Sequence, residues 1–197
     1  RLAYRACLEL QTTYADFCKA QADILRLYTK APIGTDMMPT HQLDIALTNS
    51  KLDIAQLNFY NGPAAIPMWL DPYRTMFDRK FWITETAANH NGSERPRGNR
   101  RKGICKANSL IGIALGGEAV LYWLFRSHRG GHEIGHGSVV DAWGRDLQTS
   151  PEIRELAADL KKLQPMINGT KLKKSGMAIS FTHAGYVSEK HVSMALP

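Results

Sequence analysis

Lys80-Phe81-Trp82-Ile83-Thr84-Glu85-Thr86 runs into Ala87-Ala88-Asn89-His90-Asn91-Gly92, and the reading of this stretch decides the fold. Strand-forming side chains lead directly to a lone carboxylate, and the polar segment after it, closed by glycine, reads as loop. Burying an unpaired carboxylate costs several kcal/mol. Glu85 is therefore expected to be hydrogen-bonded, ion-paired or solvated in a cleft.

Outward from this point the chain alternates strand and helix patterns. Strands are expected at 33–38, 53–60, 80–84 and 118–126, and helices at 2–29, 64–78, 104–116 and 151–163, with a short helix or turn at 41–51. In the first helix Phe17, Ala20, Ile24, Leu25 and Leu27 recur at helical spacing, and Lys30-Ala31-Pro32 ends it. The segment 118–126 is nearly continuously apolar, as a strand covered on both faces is. Pro151 sits in the first turn of the last helix, with Glu152 and Glu155 near its positive end. One more strand is expected at 177–181.

Strand-helix alternation repeated four times implies α/β class with a parallel sheet. The four strands end in Asp36, in Asn58 with Tyr60, in Glu85, and in Arg126. Polar groups converging on one rim mark the active-site face of a (β/α)8 TIM barrel, and four βα units are half of one. The expected organisation is the C-terminal half of such a barrel over 1–168. A linker and the first strand of a second α/β domain follow over 169–197.

Composition excludes several classes. Hydrophobic content of 44% with 22% charged residues is that of a globular protein. The net charge of +7 collects in two runs, 95–102 and 171–174. Neither has the interleaved aromatics of a single-strand binder, so no nucleic-acid partner is expected. The apolar run 109–125 is broken by Gly112, Gly116, Gly117 and Glu118, so no membrane span is expected. Cys7, Cys18 and Cys105 are widely spaced, without a CxxC pair. They indicate neither a disulfide framework nor a cysteine zinc site, and they fit a reducing, cytoplasmic compartment. Arg1 in place of a methionine suggests an excerpt of a longer protein.

Taken in order, four segments resemble the β-galactosidases of glycoside hydrolase family forty-two. Asp53-Ile54-Ala55-Gln56-Leu57-Asn58-Phe59-Tyr60 is similar to the family's D-V-V-S-W-D-x-Y strand, and Phe81-Trp82-Ile83-Thr84-Glu85 to its F-W-V-M-E nucleophile strand. The segment 113–126 is similar to A-H-G-A-D-x-V-x-Y-F-R-W-R, and Glu133-Ile134-Gly135-His136-Gly137 to E-K-F-H-G. The resemblance covers residues 14–165.

It implies that Glu85 is a catalytic nucleophile, and that Tyr60, Glu133 and His136 line a sugar subsite. Asn58 stands where the family has an aspartate, Leu115 where it has a histidine, and Phe125 where it has a tryptophan. His90 is the one candidate for a family tryptophan after the nucleophile. The family's acid/base glutamate follows an asparagine, and this chain has no Asn-Glu pair. The resemblance places that group before residue 1. Residues 176–197 resemble the opening of the family's trimer-forming domain, which implies a homotrimer for the full-length protein.

The implied reaction is retaining hydrolysis of terminal β-D-galactosides or galacto-oligosaccharides, with no cofactor and no metal. It needs two carboxyl groups about 5–5.5 Å apart, so this stretch by itself is expected to be inactive. Tyr60 is placed to hold the nucleophile by a hydrogen bond. Asn58, Glu133, His136 and Arg126 are the candidate substrate-binding residues, with Arg126 suited to pairing with a rim carboxylate. Trp69, Trp82 and Trp123 are expected in the core, and Trp143 is a candidate to line the cleft.

A rival reading lies in plain sight. His132-Glu133-Ile134-Gly135-His136 matches the H-E-x-x-H of zinc proteases, whose chemistry needs both histidines on one helix face with the glutamate as base. Gly130, Gly131, Gly135 and Gly137 make that helix poor by several kcal/mol in summed propensity. Val139 and Ala142 occupy the positions of the glycine and third histidine of the extended motif. A third reading is a non-catalytic carbohydrate-binding fragment.

Overall fold

The computed structural model describes residues 2–38, 43–77, 81–89, 101–171, 173, 175–178, 180, 182, 183 and 185. Its elements are α1 (Leu2–Leu25), α2 (Ile45–Ser50), β1 (Ala55–Asn58), α3 (Ile66–Phe77), β2 (Phe81–Ala87), α4 (Ile104–Ala114), β3 (Gly117–Trp123) and α5 (Ser150–Asn168). A 3-10 turn at Pro63–Ala65 leads into α3. The chain divides into two compact units, one of residues 1–56 with 173–197, the other of residues 57–172.

In the first unit α1 packs against α2. Its buried face is Gln11, Ala15, Cys18 and Ala22, a stripe at helical spacing. Phe17, Ile24, Leu25 and Leu27 are exposed instead, Phe17 by 58%. The residues whose spacing marks the helix are thus not its buried ones. The helix also ends at Leu25, followed by a turn, rather than at residue 29. Asp44 caps α2 by accepting from the Leu47 amide at 2.8 Å.

The strand expected at 33–38 does not form among those residues. The Ile33 carbonyl accepts from both Asp53 N (2.8 Å) and Ile54 N (3.3 Å), while the Ile33 amide donates to Asp53 Oδ2 at 3.0 Å. A side-chain carboxylate has taken the donor that a ladder would use, and the segment continues as irregular extended backbone. Asp53 is anchored in turn by Arg26 at 2.9 Å.

The sheet has three strands in the order β1-β2-β3, with β2 and β3 parallel and Phe81 beside Gly117, Ile83 beside Val120 and Ala87 beside Trp123. In the second unit Leu57, Ile66, Leu70, Tyr73, Phe81, Ile83, Cys105 and Leu156 are buried. A fully buried Leu, Ile or Phe contributes about 1.5–3 kcal/mol. The Tyr73 and Phe81 rings meet at 6.1 Å, joining α3 to β2.

Two glycines let α4 lie close to the sheet. A Cβ on Gly112 would sit 2.6 Å from the Ile83 side-chain tip, and one on Gly117 would sit 2.9 Å from the Gly112 carbonyl oxygen. The start of α4 is closed from outside the helix. Glu152, buried in the first turn of α5, accepts from Gly103 N (2.8 Å) and Lys106 N (2.6 Å). A carboxylate there satisfies orphan amides and meets the positive end of the helix dipole.

β3 corrects a second expectation. It stops at Trp123 rather than 126, and it is not covered on both faces: Glu118 is exposed and Leu121 is 45% exposed. β3 ends the sheet order, so one edge lacks a neighbouring strand among the described residues. Beyond Trp123, where β2 has ended, residues 124–127 bond to a later loop. Leu124 N donates to Gly137 O, Val139 N to Leu124 O, Val140 N to Phe125 O, and Ser127 N to Val140 O. Arg126 therefore belongs to this loop and not to the strand.

α5 runs to Asn168, past the expected end near 163, and carries Pro165 inside it. Its last turns are largely exposed. Of the strand expected at 177–181, Ile179 and Phe181 lie outside the described residues; Met177, Ala178 and Ser180 are not in a strand. Among the described residues no helix is long and apolar enough to cross a membrane.

Candidate active site

Glu85 is the fifth residue of β2 and is half-buried, between the buried Ile83 and the buried Thr86, Ala87 and Ala88. Its position near the C-terminal end of the strand follows from the sequence, since the apolar run Phe81-Trp82-Ile83 fills the first half of β2. Contacts among the described residues fix its surroundings. The Tyr60 hydroxyl donates to Glu85 Oε2 at 2.5 Å. The Phe59 amide donates to the Glu85 carbonyl at 2.8 Å. Thr84 Oγ1 donates to the Leu57 carbonyl at 3.1 Å and also lies 3.2 Å from Asn58 Oδ1.

β1 and its extension thus hold β2 by main chain, while Tyr60, two residues past the strand end, reaches the carboxylate by side chain. A phenol donating to a carboxylate both stabilises the charge and fixes which oxygen faces away from the tyrosine. Asn58, Tyr60 and Glu85, all singled out in the sequence, are brought together here. Asn58 is buried and contacts Thr84, which the sequence reading passed over although it adjoins Glu85. Trp82 points elsewhere, donating to Glu118 Oε2 at 3.3 Å. Trp69, Trp82 and Trp123 are half-buried rather than core residues.

Arg126, Glu133 and His136 lie in the loop after β3. Residues 132–135 form turns, with Ile134 N bonded to Gly131 O at 3.4 Å and His136 N to Glu133 O at 2.9 Å. No helix places His132 and His136 on one face, so the zinc-protease reading loses the geometry it requires. The glycines explain this, as their helix propensity predicts. Glu133 Oε2 lies 3.9 Å from His128 Nε2. Among the described residues no group of three His, Cys, Asp or Glu side chains is arranged to hold a metal. His90 lies outside the described residues.

The same loop continues into a tight turn that the sequence left unplaced. Trp143 stands exposed on it, and Asp141 folds it by accepting from the amides of Trp143 and Arg145. Those hydrogen bonds, with the Arg145 guanidinium at 2.6 Å, hold the Asp141 carboxyl below its usual range.

The sequence model of glycoside hydrolase family forty-two, described as β-galactosidase, matches residues 10–163. The chain is 30% identical over 173 residues to β-galactosidase YesZ of Bacillus subtilis, covering 85% of this chain and 26% of that protein. It is 34% identical over 135 residues to β-galactosidase YesZ of Bacillus licheniformis, covering 66% of this chain and 20% of that protein. Among solved structures, a catalytic mutant of Gan42B, a family forty-two β-galactosidase from G. stearothermophilus, superposes with a TM-score of 0.68 at 26% identity. That match covers 78% of this chain and 25% of the other. The cold-adapted β-galactosidase of Rahnella sp. R3 shares the fold, with a TM-score of 0.81 at 24% identity over 89% of this chain and 28% of the other. The chain spans about a quarter of the length of these relatives. Matched over residues 10–163 of its 197, the chain belongs to glycoside hydrolase family forty-two.

Proposed function

We propose that the protein carrying this chain is a retaining β-galactosidase in which Glu85 is the nucleophile. The observation that carries this reading is the 2.5 Å hydrogen bond from Tyr60 to Glu85 Oε2 on a strand held from the side by Phe59. A nucleophilic carboxylate must be ionised and fixed in direction. A phenol donor favours the charged form and holds its direction.

In this account the second carboxylate oxygen of Glu85 attacks the anomeric carbon as the bond to the leaving oxygen breaks, and that leaving oxygen takes a proton from a second carboxyl group. Water, deprotonated by the same second group, then releases the sugar from Glu85. The acid/base carboxylate comes from a segment preceding residue 1, together with the other half of a (β/α)8 barrel. Asn58, Glu133, His136 and Arg126 contact sugar hydroxyls, and the substrates are terminal β-D-galactosides and galacto-oligosaccharides. The region after residue 169 opens a second domain through which three copies assemble, in a cytoplasmic enzyme without cofactor.

The test is Glu85→Gln in the full-length protein, assayed on a chromogenic β-galactoside. Turnover is expected to fall by several orders of magnitude while circular dichroism and the melting transition stay intact. Turnover within tenfold of the parent overturns the reading.

A further inference from the structure

Trp143 is 70% exposed, yet its backbone amide is tied down by the Asp141 carboxylate. Asp141 Oδ1 accepts from Trp143 N at 2.8 Å and from Arg145 N at 2.9 Å, and Asp141 Oδ2 accepts from Arg145 Nε at 2.6 Å. The main chain closes on itself, Gly144 N donating to Asp141 O at 3.0 Å and Asp141 N to Arg145 O at 2.9 Å. Gly144 has φ +86°, which a residue with a side chain adopts only under strain. The Arg145 guanidinium stands 5.4 Å from the centre of the indole, a cation–π distance. A large apolar ring is thus held outward and bordered by charged groups.

The place of this turn is equally defined. Val140, next to Asp141, bonds to Phe125 and Ser127, just past the end of β3. Arg126 Nη2 lies 3.6 Å from where a Cβ on Gly144 would be, so the turn packs on the residue that leaves the strand. β3 ends at Trp123, which pairs with Ala87, two residues beyond Glu85 on the parallel neighbour. Trp143 and the Glu85 carboxylate therefore belong to the same end of the sheet.

We propose that Trp143 is a sugar-stacking platform on the leaving-group side of the site, where a neutral pyranose of a galacto-oligosaccharide lies against the exposed indole. This rests on the glycosidase reading above. A pyranose has an apolar C–H face ringed by hydroxyls. The indole offers the apolar counterpart, and Asp141, Arg145 and Arg126 offer hydrogen-bonding groups around it. The charged and polar groups beside the indole, Arg145 and Asp141, are partners suited to sugar hydroxyls. The turn is pre-ordered, so little conformational entropy is lost when the ring is covered.

The experiment compares kcat/KM for β-1,4-galactotriose and for methyl β-D-galactoside, which has no sugar on the leaving side, using the full-length protein. Trp143→Ala is expected to lower the ratio of the two about tenfold or more, chiefly through KM for the triose, and Trp143→Phe to restore most of it. An unchanged ratio overturns the proposal, whether both activities hold or fall together. Calorimetric binding of galactotriose is measured in parallel in the Glu85→Gln background, where no turnover interferes. Weaker binding with Trp143→Ala supports the platform even if the protein proves not to hydrolyse galactosides. Binding unaffected by Trp143→Ala rejects it even if Glu85 proves to be the nucleophile.

Discussion

Tyr60 and Glu85 are joined twice over: the Tyr60 phenol donates to the Glu85 carboxylate at 2.5 Å, and the residue before Tyr60 donates its amide to the Glu85 carbonyl at 2.8 Å. The backbone bond sets the height of one strand against the other. The side-chain bond sets the direction of the carboxylate. Because the two contacts use adjacent residues, the tyrosine cannot drift without breaking the main-chain link.

Tyr60→Phe keeps the ring and removes only the donor. A hydrogen bond to a charged group contributes about 1.5–3 kcal/mol, so kcat on a chromogenic galactoside is expected to fall about 10- to 100-fold. Steady-state kinetics with a melting curve beside them check this. A variant with parental kcat contradicts a role for the phenol in holding Glu85.

Gly112 and Gly117 predict different costs for the same added methyl. At Gly117 the new Cβ meets the fixed Gly112 carbonyl oxygen at 2.9 Å, whereas at Gly112 it meets the tip of Ile83, which can rotate. Gly117→Ala is therefore expected to destabilise by about 1–3 kcal/mol, and Gly112→Ala by less. Urea midpoints at constant m-value give the order directly.

Stability should also carry an acid limb with assignable origins. Asp141 is held below the ordinary 3.8 by the Arg145 amide, Asp146 by the Arg154 guanidinium and Asp159 by the Lys106 ammonium. Since the folded values are depressed, the unfolded chain takes up protons first. The contribution is complete above the ordinary value and is lost as pH falls through it toward the folded values. The melting temperature is expected to decline below about pH 4, and less steeply in Asp141→Asn than in the parent. An identical acid limb in the variant would falsify the assignment of Asp141.

The parts of the fold that were legible in the sequence are those written locally. β2 declares itself by strand formers ending in a carboxylate, and the turns at 132–135 by their glycines. What was not legible depended on partners far along the chain. Nothing in 33–38 announces that Asp53, twenty residues on, takes the Ile33 amide in place of a ladder. Nothing in 124–127 announces pairing with 137–140, so Arg126 was read as a strand end. The helical period of α1 is written in its sequence, while its buried stripe of Gln11, Ala15, Cys18 and Ala22 is set by packing. Of the candidate site, the grouping of Asn58, Tyr60 and Glu85 was legible from motif order, while Thr84 and the outward Trp143 needed three-dimensional placement.

The central claim is that Glu85 forms a covalent bond with the sugar. The full-length protein, incubated with a 2-deoxy-2-fluoro β-galactoside bearing a good leaving group, is expected to gain one fluorogalactosyl mass. Peptide mapping is expected to place it on Glu85, with loss of labelling in Glu85→Gln. A fluorogalactosyl group mapped to any other carboxylate contradicts the account.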